Sequence, residues 1–71
     1  PTLELILNSL SFSKEIKKHL QMGQREKFLT EYKIRFVKEA RYYKFSYKEI
    51  AEFLSISPAS LYKFSAYHNI V

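Results

Sequence analysis

Apolar residues recur along this chain at helical spacing, and each run is preceded by a residue suited to start a helix. Leu3, Ile6, Leu7 and Leu10 fall at i, i+3, i+4 and i+7, which predicts a short amphipathic helix capped by Thr2. Ser13 can cap a second helix whose stripe is Phe12, Ile16 and Leu20, with Lys14, Lys17 and Lys18 pointing away from it. Gly23, the only glycine, sits just past that stripe, where a left-handed residue stops a helix. A longer helix is then expected from about Gln24 to Tyr43. Its inward face is Leu29, Tyr32, Phe36, Ala40 and Tyr43, widened by Phe28 and Val37. Its other face carries Arg25, Lys27, Lys33, Arg35, Lys38 and Arg41.

The last third of the chain is more specific. Ser46-Tyr47-Lys48-Glu49 has the capping-box form S-x-x-E, so a helix starts there with Ile50, Phe53 and Leu54 on its buried face. Ser57-Pro58 gives a second start soon after, because serine caps well and proline loses nothing at the first helical position. That helix runs to about Tyr67 and turns Leu61 and Phe64 inward. Two short helices joined by a few residues, each with one apolar stripe, form a helix-turn-helix pattern. The expected fold is therefore all-α: one domain over residues 1–71, a small bundle of four or five helices with the motif at about 46–67.

In that motif the second helix crosses close over the first, so a small residue is needed at the crossing and branched apolar residues around it. Ala51 fills the small position, and Ile50, Leu54, Ile56, Leu61 and Phe64 fill the apolar ones in register. The stretch S-Y-K-E-I-A-E-F-L-S-I-S-P-A-S-L-Y-K-F, Ser46–Phe64, resembles the helix-turn-helix DNA-binding superfamily and is most similar to the DNA-reading motif of tetracycline-repressor-type regulators. It departs from them at the turn, where Ser55 stands in place of the usual glycine, at some conformational cost. The 71 residues do not include the large ligand-binding domain of those repressors, so their effector response is not an expectation here. In size and motif class the chain also resembles the modulator-of-repression proteins of lactococcal-type phages.

The resemblance implies that the helix from Pro58 to Tyr67 lies in the major groove of double-stranded DNA with its first residues nearest the bases. Ser57, Ala59, Ser60, Tyr62, Lys63 and Tyr67 are then the contact candidates, with Tyr47 and Lys48 on the DNA backbone. Charge supports a nucleic-acid partner but is unevenly placed. The chain is net +5, yet residues 14–49 hold eleven bases and five acids, while the second motif helix has Lys63 as its one base and no Arg, Asn or Gln. A nearly neutral, Tyr-bearing helix is also what a protein interface presents. The sequence thus supports two readings: a small DNA-binding transcriptional regulator of a phage or other bacterial mobile element, or a modulator that grips a partner repressor. A domain of this size covers few base pairs, so a self-dimer or a second protein on adjacent half-sites is expected, with the Leu3–Leu10 helix as candidate contact.

Other chemistry is poorly provided for. There is no Cys and no Asp, which excludes disulfides, thiolate metal sites and a thiol nucleophile. His19 and His68 each lack a second ligand nearby in sequence, and no nucleophile–base pairing or phosphate loop appears, so neither an enzyme nor a cofactor or small-molecule substrate is expected. The apolar runs are far too short for a membrane span and no signal pattern is present, which points to the cytoplasm of a bacterial host cell. Six Phe and six Tyr are many for 71 residues and are expected chiefly in the core. Tyr42, Tyr43, Phe45 and Tyr47 crowd one turn, so one or two of them must stay exposed.

Overall fold

The computed structural model describes residues 1–70 and contains five α-helices: α1 (Leu3–Ser9), α2 (Lys14–Gln21), α3 (Thr30–Tyr42), α4 (Tyr47–Phe53) and α5 (Pro58–Tyr67). A single 3₁₀ turn at Lys27–Leu29 precedes α3. The side chains expected as caps perform that role. Thr2, Ser13 and Ser57 each accept a hydrogen bond from the backbone N–H three residues on. At α4 the capping box is complete: Ser46 Oγ accepts from the Glu49 amide and Glu49 Oε1 from the Ser46 amide, both at 3.1 Å. Each such cap is worth about 1 kcal/mol, a large share for a domain this small.

The helix ends follow a common rule. After α2, α3, α4 and α5 comes one residue with positive φ, respectively Gly23, Lys44, Ser55 and Asn69. The residue after each sends its amide back five positions: Gln24 to His19, Phe45 to Ala40, Ile56 to Ala51, and Ile70 to Ser65. This is the Schellman arrangement, and its apolar member tucks back onto the helix it ends. Phe45 and Ile56 pack against the core, and Ile70 is part of it. The turn serine at position 55 accordingly takes the left-handed conformation, with φ 58°.

All five helices contribute to one core. Ile6 and Leu7 of α1, Leu20 of α2, Phe36, Val37 and Ala40 of α3, Ile50 and Ala51 of α4, and Leu61 of α5 are buried together with Leu29 and Leu54. Phe36 stacks on Phe53 with centroids 5.5 Å apart, and Phe12 meets Tyr32 edge-on at 5.0 Å. The apolar stripe of α1 is thus used within this core, packed on α3, rather than left free for a second copy. None of the described helices is long and apolar enough to cross a membrane.

Two expectations need correction. The helix expected over 24–43 is shorter: Gln24–Glu26 are a connection, and regular α-helix begins at Thr30. Gln, Arg and Glu are good helix formers, so their pattern cannot mark them as a linker, and the chain uses them to cross from the end of α2 to α3. Phe28 and Tyr43, expected on the inward face, are 55% and 45% exposed. Phe28 lies in the 3₁₀ turn and Tyr43 beyond the last helical residue, so neither follows the stripe's 3.6-residue period. In the crowded aromatic turn, Tyr42 and Tyr43 are exposed while Phe45 and Tyr47 are half-buried.

Candidate nucleic-acid interface

The α4–α5 pair is held by close packing and by a contact from outside the motif. Ala51 is fully buried, which lets the two helices approach, and Ile50, Leu54 and Leu61 fill the space around it. Ile56 and Phe64, also expected in this core, are half-buried at its edge and pack against it. The turn between the helices rests on the end of α2. A Cβ on Gly23 would lie 2.7 Å from the Ser55 carbonyl oxygen and 3.1 Å from that of Leu54. Ser55 Oγ donates to the Gln21 carbonyl at 2.7 Å. Gly23 therefore has two functions, of which the sequence revealed the helix stop and not the close approach.

Helical period divides the surface of α5 into a core face, an outward ridge and two flanks. Leu61 and Ser65 face the core, and Ser65 is the buried polar residue among those described. Ala59, Lys63 and Ala66 form an exposed outward ridge. Tyr62, 63% exposed, stands on one flank of the ridge and meets the half-buried Tyr47 edge-on at 5.8 Å. The Arg41 guanidinium lies 4.5 Å from the Tyr47 ring centroid and donates to the Phe45 carbonyl at 2.6 Å, which ties this aromatic pair to the end of α3.

The other flank carries Ser60 and Phe64 and faces the start of α3. A cleft of about 270 Å³ opens there, bordered by Arg25, Glu26, Lys27, Thr30 and Lys33 from the connection, turn and α3, with Ile56 at its base. Lys33 Nζ sits over the Phe64 ring, 5.0 Å from its centroid. Burial, and then the positive charge of Arg25, lower the Lys33 pKa from the ordinary lysine value. Ser57 Oγ accepts the Ser60 amide at 3.1 Å and donates to Ser60 Oγ at 2.9 Å.

Of the candidate contact residues, Lys48, Ser57, Ala59, Tyr62, Lys63 and Tyr67 are exposed, and Tyr47 and Ser60 are half-buried. The structure brings Ser57, Ala59, Ser60, Tyr62 and Tyr47 together around the start of α5. Tyr67 is apart from them, some ten residues or about 15 Å along the helix, with its ring edge-on to His68 at 4.9 Å. Sequence reasoning missed Arg25, Lys33 and Thr30 as neighbours of α5. A count of bases gave their charge, but their approach depends on where the connection after Gly23 directs the chain. No group of three or more metal-ligating side chains occurs among the described residues.

A capped helix pair crossing at a buried alanine, with a preceding helix closing the core and the second helix exposed along one side, defines a helix-turn-helix protein of the DNA-binding class. The transposase helix-turn-helix family matches residues 22–68, which span the end of α2 through α5, and the chain belongs to that family. No curated protein and no solved structure gives a match.

Proposed function

We propose that the chain binds double-stranded DNA by laying α5 in the major groove, and that it acts as a small regulatory or accessory protein of a phage or other bacterial mobile element. The observation that carries this reading is the exposed ridge of α5, flanked on one side by a cleft bordered by Arg25, Lys27 and Lys33 and on the other by Tyr47 and Tyr62. Ala59 and Lys63 face the base edges from the ridge, with Tyr62 beside them. Ser57 and Ser60 meet bases or phosphates at the helix start, and Tyr47 and Lys48 meet the backbone on the α4 side. Family membership supports DNA as the partner. Tyr67 falls at the margin of this footprint.

The reading is tested by fluorescence anisotropy of the whole chain with a short mixed-sequence duplex over a range of salt concentrations. Binding that weakens linearly in log–log form as salt rises is expected, because each neutralised phosphate releases counterions. A flat salt response, or none at micromolar protein, contradicts it. Specific sites are expected to need two copies of the chain or a second protein on adjacent half-sites. Because Ile6 and Leu7 are buried within the monomer, a self-dimer would use another face than the α1 stripe.

A second reading rests on the exposed tyrosines Tyr42, Tyr62 and Tyr67, since exposed aromatic side chains anchor protein interfaces. In it, the Tyr62/Lys63/Tyr67 face and the aromatic turn grip a partner repressor. The absence of salt-dependent DNA binding, combined with co-elution with such a repressor, would put this reading first.

A further inference from the structure

The cleft between α5 and the start of α3 has the composition of an anion site. Three bases, Arg25, Lys27 and Lys33, surround it against one acid, Glu26, and two hydroxyl residues, Thr30 and Ser60, border it from opposite sides. Its volume of about 270 Å³ is several times the roughly 30 Å³ that a water occupies in the liquid, so a phosphodiester group fits with bridging waters. Lys33 is held in place by the Phe64 face, a contact that positions the ammonium while leaving its N–H groups free to seek an oxygen acceptor. Ser60 Oγ already accepts from Ser57, which leaves the Ser60 O–H as a donor. Burial first, and then the charge of Arg25, lower the Lys33 pKa, so the ammonium is held in this cleft at a cost. A bound anion would offset it.

We infer that this cleft seats one backbone phosphate of the duplex beside α5, and so sets the register of the Ala59–Lys63 ridge along the groove. The inference rests on the DNA-binding reading and adds to it a particular strand contact. Ser60 and Phe64 lie one turn apart on the cleft flank, while Tyr62 occupies the opposite flank of the ridge against Tyr47. A helix in the major groove runs between two phosphate strands, and the cleft is placed to meet one of them.

The test compares the whole chain with Lys33→Gln, Lys33→Arg and Arg25→Gln in the same anisotropy titrations over salt, with folding checked by circular dichroism. The expected result is a log–log salt slope reduced by about 0.9 in Lys33→Gln, the value of one lost phosphate contact, and restored in Lys33→Arg. Affinity should fall by the same factor on unrelated duplex sequences. A scan of single neutral methylphosphonate substitutions should reveal one position that weakens the wild type and leaves Lys33→Gln unaffected. Should Lys33→Gln fail to fold, Arg25→Gln in the exposed connection carries the same slope test. If the wild type binds with a steep salt dependence and the glutamine variants keep its affinity and slope, the cleft assignment is overturned and the DNA reading stands. If the wild type shows no salt-dependent binding, both fall together.

Discussion

The outward ridge of α5 and the flank that faces α3 lie on one helix and differ in almost every property. The ridge carries Ala59, Lys63 and Ala66, with a single charge. The flank borders a cleft to which the connection, the 3₁₀ turn and α3 bring Arg25, Lys27 and Lys33. The basic charge and the exposed ridge therefore come from different stretches of chain. In the proposed complex, net charge marks where phosphates are met, and shape marks the edge offered to the bases. The small Ala59 and Ala66 side chains on either side of Lys63 leave the helix backbone open to close approach, and Ala59 can meet a thymine methyl without a polar partner.

The largest effect is expected from breaking the joint that holds both surfaces in place. In Gly23→Ala the new Cβ would collide with the carbonyl oxygens of Ser55 and Leu54 while the backbone stays at φ 70°. The left-handed conformation alone costs an alanine about 1–2 kcal/mol, and the contact adds to that. For so small a domain most of its stability is at stake, so thermal denaturation should show a much lower or lost cooperative transition. An unchanged melting curve would mean that the end of α2 does not support the motif turn.

A second substitution separates ridge from flank. Lys63→Ala, on the ridge alone, should reduce discrimination between a selected duplex and a scrambled one by about 1–3 kcal/mol. Its effect on mixed-sequence binding should be smaller than that of Lys33→Gln. Equal losses on all sequences would show that the ridge contacts phosphate and not bases. Smaller again is Ser57→Ala, which removes the cap of α5 and the hydrogen bond that orients Ser60. It should lower stability by about 1 kcal/mol in chemical denaturation, with the rest of the fold intact.

The finest test of the contrast is the titration of Lys33 itself. Because its pKa is lowered in the folded chain, the ammonium is the disfavoured form there. The destabilising contribution is fully present below the folded pKa and fades as pH rises towards the unfolded value. The charged groups bordering the same cleft are Arg25, Glu26 and Lys27. NMR titration of the Lys33 side chain should therefore give a midpoint below that of an ordinary lysine in the free chain, and a higher one with duplex DNA bound. A midpoint that stays where it was on DNA binding would place the phosphate elsewhere.

What could be read from sequence was local or periodic. The caps at Thr2, Ser13, Ser46 and Ser57 depend on one side chain and an amide three residues away, so the residue types alone identify them. The crossing at Ala51 was legible because spacing fixes which residues share a helix face. Ends and approaches were harder. Lys44 adopts the left-handed conformation that glycine would announce, and nothing in its side chain marks it, whereas Asn69 is of a type that takes it readily. Arg25 and Lys33 join α5 across more than twenty-five positions of sequence, through the course of a connection composed of helix-forming residues. The site was thus visible as an α5 edge and a diffuse basic excess, and their meeting at one cleft was not.

In the proposed complex, ridge and cleft meet the same duplex together. Amide and side-chain chemical-shift mapping of the whole chain on addition of a short DNA duplex tests it most directly. Perturbations are expected at Ser57–Lys63 and at Arg25–Lys33, with little change along the groove between α1 and α2 lined by Leu7, Asn8 and Lys17. Perturbations centred on that groove, or confined to Tyr42 and Tyr67, would contradict it.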